Sequence, residues 1–201
     1  PASCVTVLHM LSTSNDEQVE VGDRILDAAA SCLLALGMER VTLAAIARRA
    51  GVSRPTVYRR WPDSRSVIAA LLTSRITTAW TELEQSGTGR EALVMRIVAV
   101  AARLRHDEVV MQVLHHAPDL AMVYIAQRMG ASQRRLINLV AGELGGAQET
   151  GSVRAGDPRQ LAAMCLLITQ SAIQSAQVVA PILDEDALST ELTYTLNRYL
   201  S

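Results

Sequence analysis

Gly51 separates two short stretches, each helical in composition and each too short to be stable by itself. Residues 43–50 read Leu-Ala-Ala-Ile-Ala-Arg-Arg-Ala and residues 53–60 read Ser-Arg-Pro-Thr-Val-Tyr-Arg-Arg. Isolated helices below roughly 12–15 residues are marginal in water, so two such pieces must be held by packing. Thr42 is placed to cap the first and Ser53 the second, and Pro55 falls in a first turn, where a missing amide costs nothing. Gly51 can adopt the positive φ of a tight turn. Ile46, Ala47 and Ala50 are small or apolar, which allows the helices to approach closely. The expected unit is a helix-turn-helix.

The rest of the chain shows the same period. Ile25, Ala28, Ala29, Cys32, Leu33 and Leu36 recur at three and four, and Gly37 follows as a stop. Asp63 or Ser64 opens a long helix over residues 63–84, and further helices are expected at 91–104, 107–116, 118–144, 159–180 and from 184 or 186 to 200. Residues 145–156 read as a Gly-rich polar loop. Phe is absent and apolar residues make up 49% of the 201, which suits an all-α chain of about nine helices with apolar surface left for a partner. The expected division is a mobile leader at 1–18, a three-helix helix-turn-helix domain at 19–62, and a larger all-helical domain at 63–201.

The net charge of −1 is unevenly spread. Between Glu39 and Arg65 stand seven arginines, at 40, 48, 49, 54, 59, 60 and 65, against two acidic residues. That segment carries +5 and the remainder −6, a local footprint for a polyanion. The joint spacing of the Thr42 cap, Ile46-Ala47, Ala50-Gly51-Val52-Ser53, Tyr58, an aromatic at 61 and a basic residue at 65, preceded by Ile25-Leu-Asp-Ala-Ala, resembles the TetR family of regulators. Trp61 stands where the family more often has Phe, and Arg65 where it more often has Lys.

The resemblance implies a homodimeric transcription repressor in the cytoplasm, bound to a pseudo-palindromic double-stranded DNA operator and released by a small ligand. Ser53, Arg54, Pro55 and Thr56 would enter the major groove, where Arg54 suits guanine O6 and N7 and the Thr56 methyl suits thymine. Thr42, Tyr58, Arg59 and Arg65 would hold phosphates. Arg48, Arg49 and Arg60 divide evenly between DNA contact and a solvated face, and Trp61 reads as a core plug. An activator with the same contacts, or a helical ligand-binding protein or enzyme with a remnant helix-turn-helix, are the competing readings.

The resemblance also implies that helices 159–180 and 185–200 pair with those of a second subunit, through Leu161, Cys165, Ile168, Ala172, Ile173, Ala176, Val179, Leu192 and Leu196. An apolar or amphipathic ligand would lie among Trp80, Met95, Met111, Leu114, Met122, Tyr124, Ile125, Met129 and Met164, since Met fills irregular apolar volumes. His115, His116 and Asp119 as a metal set, and His115 with Cys165 as a nucleophilic pair, are set aside, because adjacent histidines point to different sides of a helix. No cofactor, metal or catalytic residue is expected. Cys4, Cys32 and Cys165 are odd in number and far apart, which suits a reducing compartment. Residues 5–11 lack the basic flank of a signal peptide, and no uninterrupted apolar run reaches about 18 residues, so no membrane span is expected.

Overall fold

The computed structural model describes the backbone of residues 3–84, 86–116 and 130–201, and side chains from Val19 onward within those ranges except at 131 and 132. Among the described residues there are α-helices and no strand. The helices are α1 (Ser3–Leu36), α2 (Leu43–Ala50), α3 (Arg54–Arg60), α4 (Ser64–Glu82), α5 (Gly89–Arg105), α6 (Glu108–His116), α7 (Ala131–Glu149), α8 (Pro158–Val179) and α9 (Glu185–Leu200). A 3₁₀ turn, Met38–Arg40, joins α1 to the segment before α2. The chain divides into two compact units, Pro1–Leu71 and Leu72–Ser201.

In the first unit α1 packs on α2 and α2 on α3. Ile25, Ala29, Leu33, Ile46, Val57, Val67 and Ile68 are among its fully or almost fully buried side chains. Each buried aliphatic side chain of this size contributes about 1.5–3 kcal/mol relative to exposure. The expected caps are present. The Ala45 amide donates to Thr42 Oγ1 at 3.1 Å, the Thr56 amide to Ser53 Oγ at 3.4 Å, and the Ser66 amide to Asp63 Oδ1 at 2.7 Å, so Asp63 rather than Ser64 caps α4. Gly51 has φ 66 and ψ 30, and the amides of Gly51 and Val52 close back on Arg48 and Ala47 carbonyls. These paired bonds satisfy carbonyls that the end of α2 would otherwise leave bare. α1 begins at Ser3, well before the stripe that starts near Val21; no Gly or Pro interrupts residues 3–21.

In the second unit α5 is the central helix, in contact with α6, α7, α8 and α9. Its buried residues Ala92, Leu93, Val94, Ile97, Val100, Ala101 and Leu104 cover more than half of its circumference, as suits a helix with several neighbours, and Glu91, Met95, Ala99 and Arg103 form its exposed stripe. α7 and α8 run antiparallel through a short turn. The turn corrects the sequence reading of a loop over 145–156: Gly145 and Gly146 are helical, and α7 ends where Gly151 takes φ 71. The Gly151 amide bonds to the Gln148 carbonyl and the Ser152 amide to the Ala147 carbonyl, the closure that a left-handed residue permits at Gly151 alone of the three glycines. The expected helix over 118–144 is also corrected at its C-terminal half, because α7 starts at Ala131 after Gly130 in extended conformation. Its start at Pro118 lies outside the described residues.

Asp157 and Asp184 cap α8 and α9, accepting from the Arg159 and Ala187 amides at 2.8 Å each. Among the described residues α8 is the one helix long and apolar enough to cross a membrane by length and composition. In this structure its Leu161, Ala162, Cys165 and Thr169 are buried, and the helix packs against α5, α7 and α9.

Candidate nucleic-acid interface and ligand cavity

Burial of Val57 against α2 fixes the rotation of α3 about its axis. Arg54 and Tyr58, four residues apart, then share one exposed face, and Pro55 and Arg59 lie beside them, all exposed. Thr42 and Arg65 are also exposed, while Thr56 is half-buried. The hydroxyls of Ser53 and Thr56 lie 2.7 Å apart, so both polar groups are already engaged in capping α3. What remains free to vary with sequence at the tip of α3 is the Arg54 guanidinium and the Thr56 methyl.

Arg60 departs from this surface. A Cβ built on Gly22 of α1 would lie 2.9 Å from Arg60 Nη1, so Arg60 runs along α1 and the glycine admits it. The sequence signal for this is an isolated glycine inside a helical stripe. Arg48 and Arg49 are exposed in the last turn of α2, where positive charge complements the helix dipole. Trp61 is half-buried.

Asp63 lies at the α4 N-terminus. Its carboxyl is held below the ordinary aspartate range, first by the hydrogen bond from the Ser66 amide, then by the Ser66 side chain, with Arg65 adding Coulombic attraction. One α4 amide is therefore already taken by a carboxylate, which leaves the Arg65 side chain as the main anion-binding group there.

The unit Leu72–Ser201 contains an apolar cavity of about 150 Å³. α4 lines it with Leu72, Ile76 and Trp80, α5 with Ile97, Val100, Ala101 and Leu104, and α6 with Val110, Val113 and Leu114. α7 contributes Gln133, Leu136, Ile137 and Val140; α8 contributes Ala162, Cys165, Leu166, Thr169, Gln170, Ile173 and Gln174. Of the expected ligand residues, Trp80 and Leu114 are in this wall. Met111 is half-buried outside it, and Met95 and Met164 are 63% and 41% exposed. Met95 points away because Leu93, Val94 and Ile97 occupy the inward positions of that α5 turn, and Cys165 does the same for Met164. Met122, Tyr124, Ile125 and Met129 lie outside the described residues.

Trp80 is fixed from behind. Arg96 Nη2 donates to the Trp80 carbonyl at 2.7 Å, its guanidinium lies 4.3 Å from the indole centroid, and its Nη1 donates to Glu143 Oε1 at 2.7 Å. Desolvation raises the Glu143 carboxyl above the ordinary glutamate range, and Arg96 opposes that shift. Burial pushes the Cys165 thiol up to about 11, so it stays protonated at neutral pH and is a poor nucleophile. His115 and His116 are exposed; Asp119 lies outside the described residues.

The residues expected at a dimer face differ in exposure within the single chain. Leu161, Cys165, Leu192 and Leu196 are buried in the protomer's own core and Ile173 lines its cavity, whereas Ile168, Ala172, Ala176 and Val179 are half-buried. α8 is apolar nearly all round, so periodicity alone could not select its outward face. The exposed side is Met164, Leu167, Ser171, Ser175 and Val178, spaced three and four apart, with Tyr194 exposed on α9.

Such a chain, with a helix-turn-helix unit and an all-helical unit around an apolar cavity, has the build of a DNA-binding regulator. Residues 25–71 match the family of bacterial regulatory proteins of the tetR type. Over 191 residues the chain is 59% identical to the HTH-type transcriptional regulators Mb2274c of Mycobacterium bovis and Rv2250c of Mycobacterium tuberculosis, covering 95% of this chain and 100% of each relative. The TetR-family transcriptional repressor QsdR of R. erythropolis has a similar fold, with a TM-score of 0.68 at 17% identity over 90% of this chain and 94% of that one. The chain belongs to the TetR family and is a helix-turn-helix transcriptional regulator.

Proposed function

We propose that the protein is a repressor that binds a pseudo-palindromic operator as a homodimer in the cytoplasm and is released when a small apolar or amphipathic molecule occupies the cavity of its C-terminal unit. The observation that carries this reading is the shared exposed face of Arg54 and Tyr58 on a capped α3, in a chain that also holds an apolar cavity. QsdR, similar in fold, is a repressor. Arg54 reads base edges, while Thr42, Tyr58, Arg59 and Arg65 hold phosphates and set the register. The second subunit packs on the side of α8 and α9 that carries Met164, Leu167, Val178 and Tyr194. Release is a population shift: the ligand binds preferentially the conformers whose α3 helices are wrongly spaced for DNA.

The test is a titration of the protein against DNA flanking its own gene at several salt concentrations, with an unrelated duplex as control. Selective, salt-steep binding is expected. Arg54→Ala should lower affinity by about 1–3 kcal/mol and relax base preference, whereas Arg65→Ala should weaken every sequence alike and flatten the salt slope. Unchanged binding in both variants would refute the placement of α3 in the groove.

A further inference from the structure

The polar side chains of the cavity narrow what can occupy it, given the reading of that cavity as the regulatory site. Its oxygen-bearing side chains, among the described residues, are Gln133, Thr169, Gln170 and Gln174, and they gather at one end. Gln133 Nε2 donates to Gln170 Oε1 at 3.1 Å across α7 and α8, and Thr169 and Gln174 lie within two turns of that bond. The other end is apolar. Arg96 ties the Trp80 carbonyl to Glu143, one turn beyond Val140, which places Trp80, Ile97 and Val140 together there. From Gln133 to Val140 is roughly 10 Å along α7 at the helical rise.

Thr169 stands out among the helical threonines. Thr81, Thr190 and Thr193 each return their hydroxyl to a carbonyl of their own helix. Thr169 is buried and its Oγ1 has no hydrogen-bond partner. A helical Thr divides between two χ1 rotamers, so its hydroxyl turns toward an occupant at small cost. Buried hydroxyls are nearly always bonded, and a partner arriving from the cavity satisfies this one.

The described lining offers a charged occupant no counter-ion. No described side chain in the wall carries a charge, and the nearby Arg96 and Glu143 are bonded to each other. An anionic or cationic occupant would be desolvated without a counter-ion, whereas a neutral head group needs one hydrogen bond. A volume of about 150 Å³ matches engineered apolar cavities that accept a single benzene ring.

We propose that the cavity binds a small uncharged amphiphile, a ring or short chain bearing one hydroxyl or carbonyl, with its apolar part against Trp80, Ile97 and Val140 and its polar head hydrogen-bonded to Thr169. Calorimetric titration of the full chain with benzyl alcohol, benzoate and toluene at pH 7.5 tests this, using the wild type, Thr169→Val and the cavity-filling Ala101→Leu, each checked for folding by circular dichroism. Benzyl alcohol and toluene should bind and benzoate should not. Thr169→Val should weaken benzyl alcohol about tenfold, the worth of one buried hydrogen bond, while toluene stays within about twofold. Ala101→Leu should abolish both. Benzoate binding as tightly as benzyl alcohol, or Thr169→Val leaving benzyl alcohol unchanged, overturns the neutral-head assignment while the cavity reading stands. Failure of all three compounds to bind, or binding indifferent to Ala101→Leu, overturns the cavity reading along with it.

Discussion

Replacing Arg96 by Met should destabilise the second unit more than any change to its ionic partner. Arg96 and Glu143 side chains are 13% and 25% exposed, and the same guanidinium serves the Trp80 carbonyl and stacks on the Trp80 ring. Removing one member of a buried pair costs about 3–5 kcal/mol, because the other charge is left uncompensated. Partial exposure of Glu143 lowers that figure and the lost Trp80 bond raises it, so we expect about 3 kcal/mol. For a chain of this length that is a fall of roughly 6–12 °C in Tm.

Glu143→Gln is a different perturbation. It keeps an acceptor for Arg96 and removes a carboxylate whose second oxygen, Oε2, is buried without a partner. The cost should be about 1–2 kcal/mol, below that of Arg96→Met, because Arg96 keeps the Trp80 carbonyl and the indole face as partners for its charge. The sign of the pH effect follows from the raised Glu143 carboxyl. Folding then favours the protonated form, so stability attributable to this group falls as pH rises from the ordinary glutamate range through the folded value. In Arg96→Met that dependence should steepen, and lowering the pH toward 5 should recover part of the loss. Urea unfolding between pH 5 and 8 of both variants and the double variant measures all of this. A double variant no more stable than Arg96→Met at neutral pH, or Glu143→Gln costing as much as Arg96→Met, would refute the argument that an uncompensated carboxylate sets the loss.

Gly51→Ala should cost about 1 kcal/mol or more, because φ 66 is strained for a residue with a Cβ even though space is open there; thermal melts would show it, and DNA affinity should fall with the displaced turn. Gly146→Ala should do the opposite, since the residue is helical, in the last turn of α7, and a Cβ there meets nothing within 4 Å; a gain of about 0.5–1 kcal/mol, or 1–4 °C in Tm, is expected. Asp63→Ala should cost about 1 kcal/mol at neutral pH through the lost α4 cap. Because the Asp63 carboxyl is held low, the wild type keeps that contribution above the ordinary aspartate range and loses it as pH falls through the folded value, so the two proteins should converge in acid.

The helix-turn-helix and the caps were legible in the sequence because their causes are local. Thr42, Ser53, Asp157 and Asp184 each bond an amide two or three residues away, and Gly51 closes bonds within five residues. Legibility declined where a choice depended on a distant partner. Gly145, Gly146 and Gly151 carry equal stop signals in isolation, and the one that ends α7 is the one whose next amide reaches Ala147.

α8 posed the same problem on a larger scale. Leu161 and Cys165 face inward while Met164 and Leu167 face outward, a division set by where α5 and α7 stand rather than by the side chains. Apolarity along α8 therefore does not separate the buried Leu161 and Cys165 from the half-buried positions, and methionine does not mark the cavity, since Met95 and Met164 are exposed. Apolar composition records that a side chain can be buried, not against what. The features that do commit a position are polar groups with nowhere else to go: Arg96 against Glu143 and the Trp80 carbonyl across three helices, and the Thr169 hydroxyl at the cavity wall. None has a sequence spacing that announces it, since Arg96 and Glu143 are 47 residues apart. Such a chain is therefore legible outward from its caps in the helix-turn-helix unit, and inward from its polar exceptions in the unit that holds the apolar cavity.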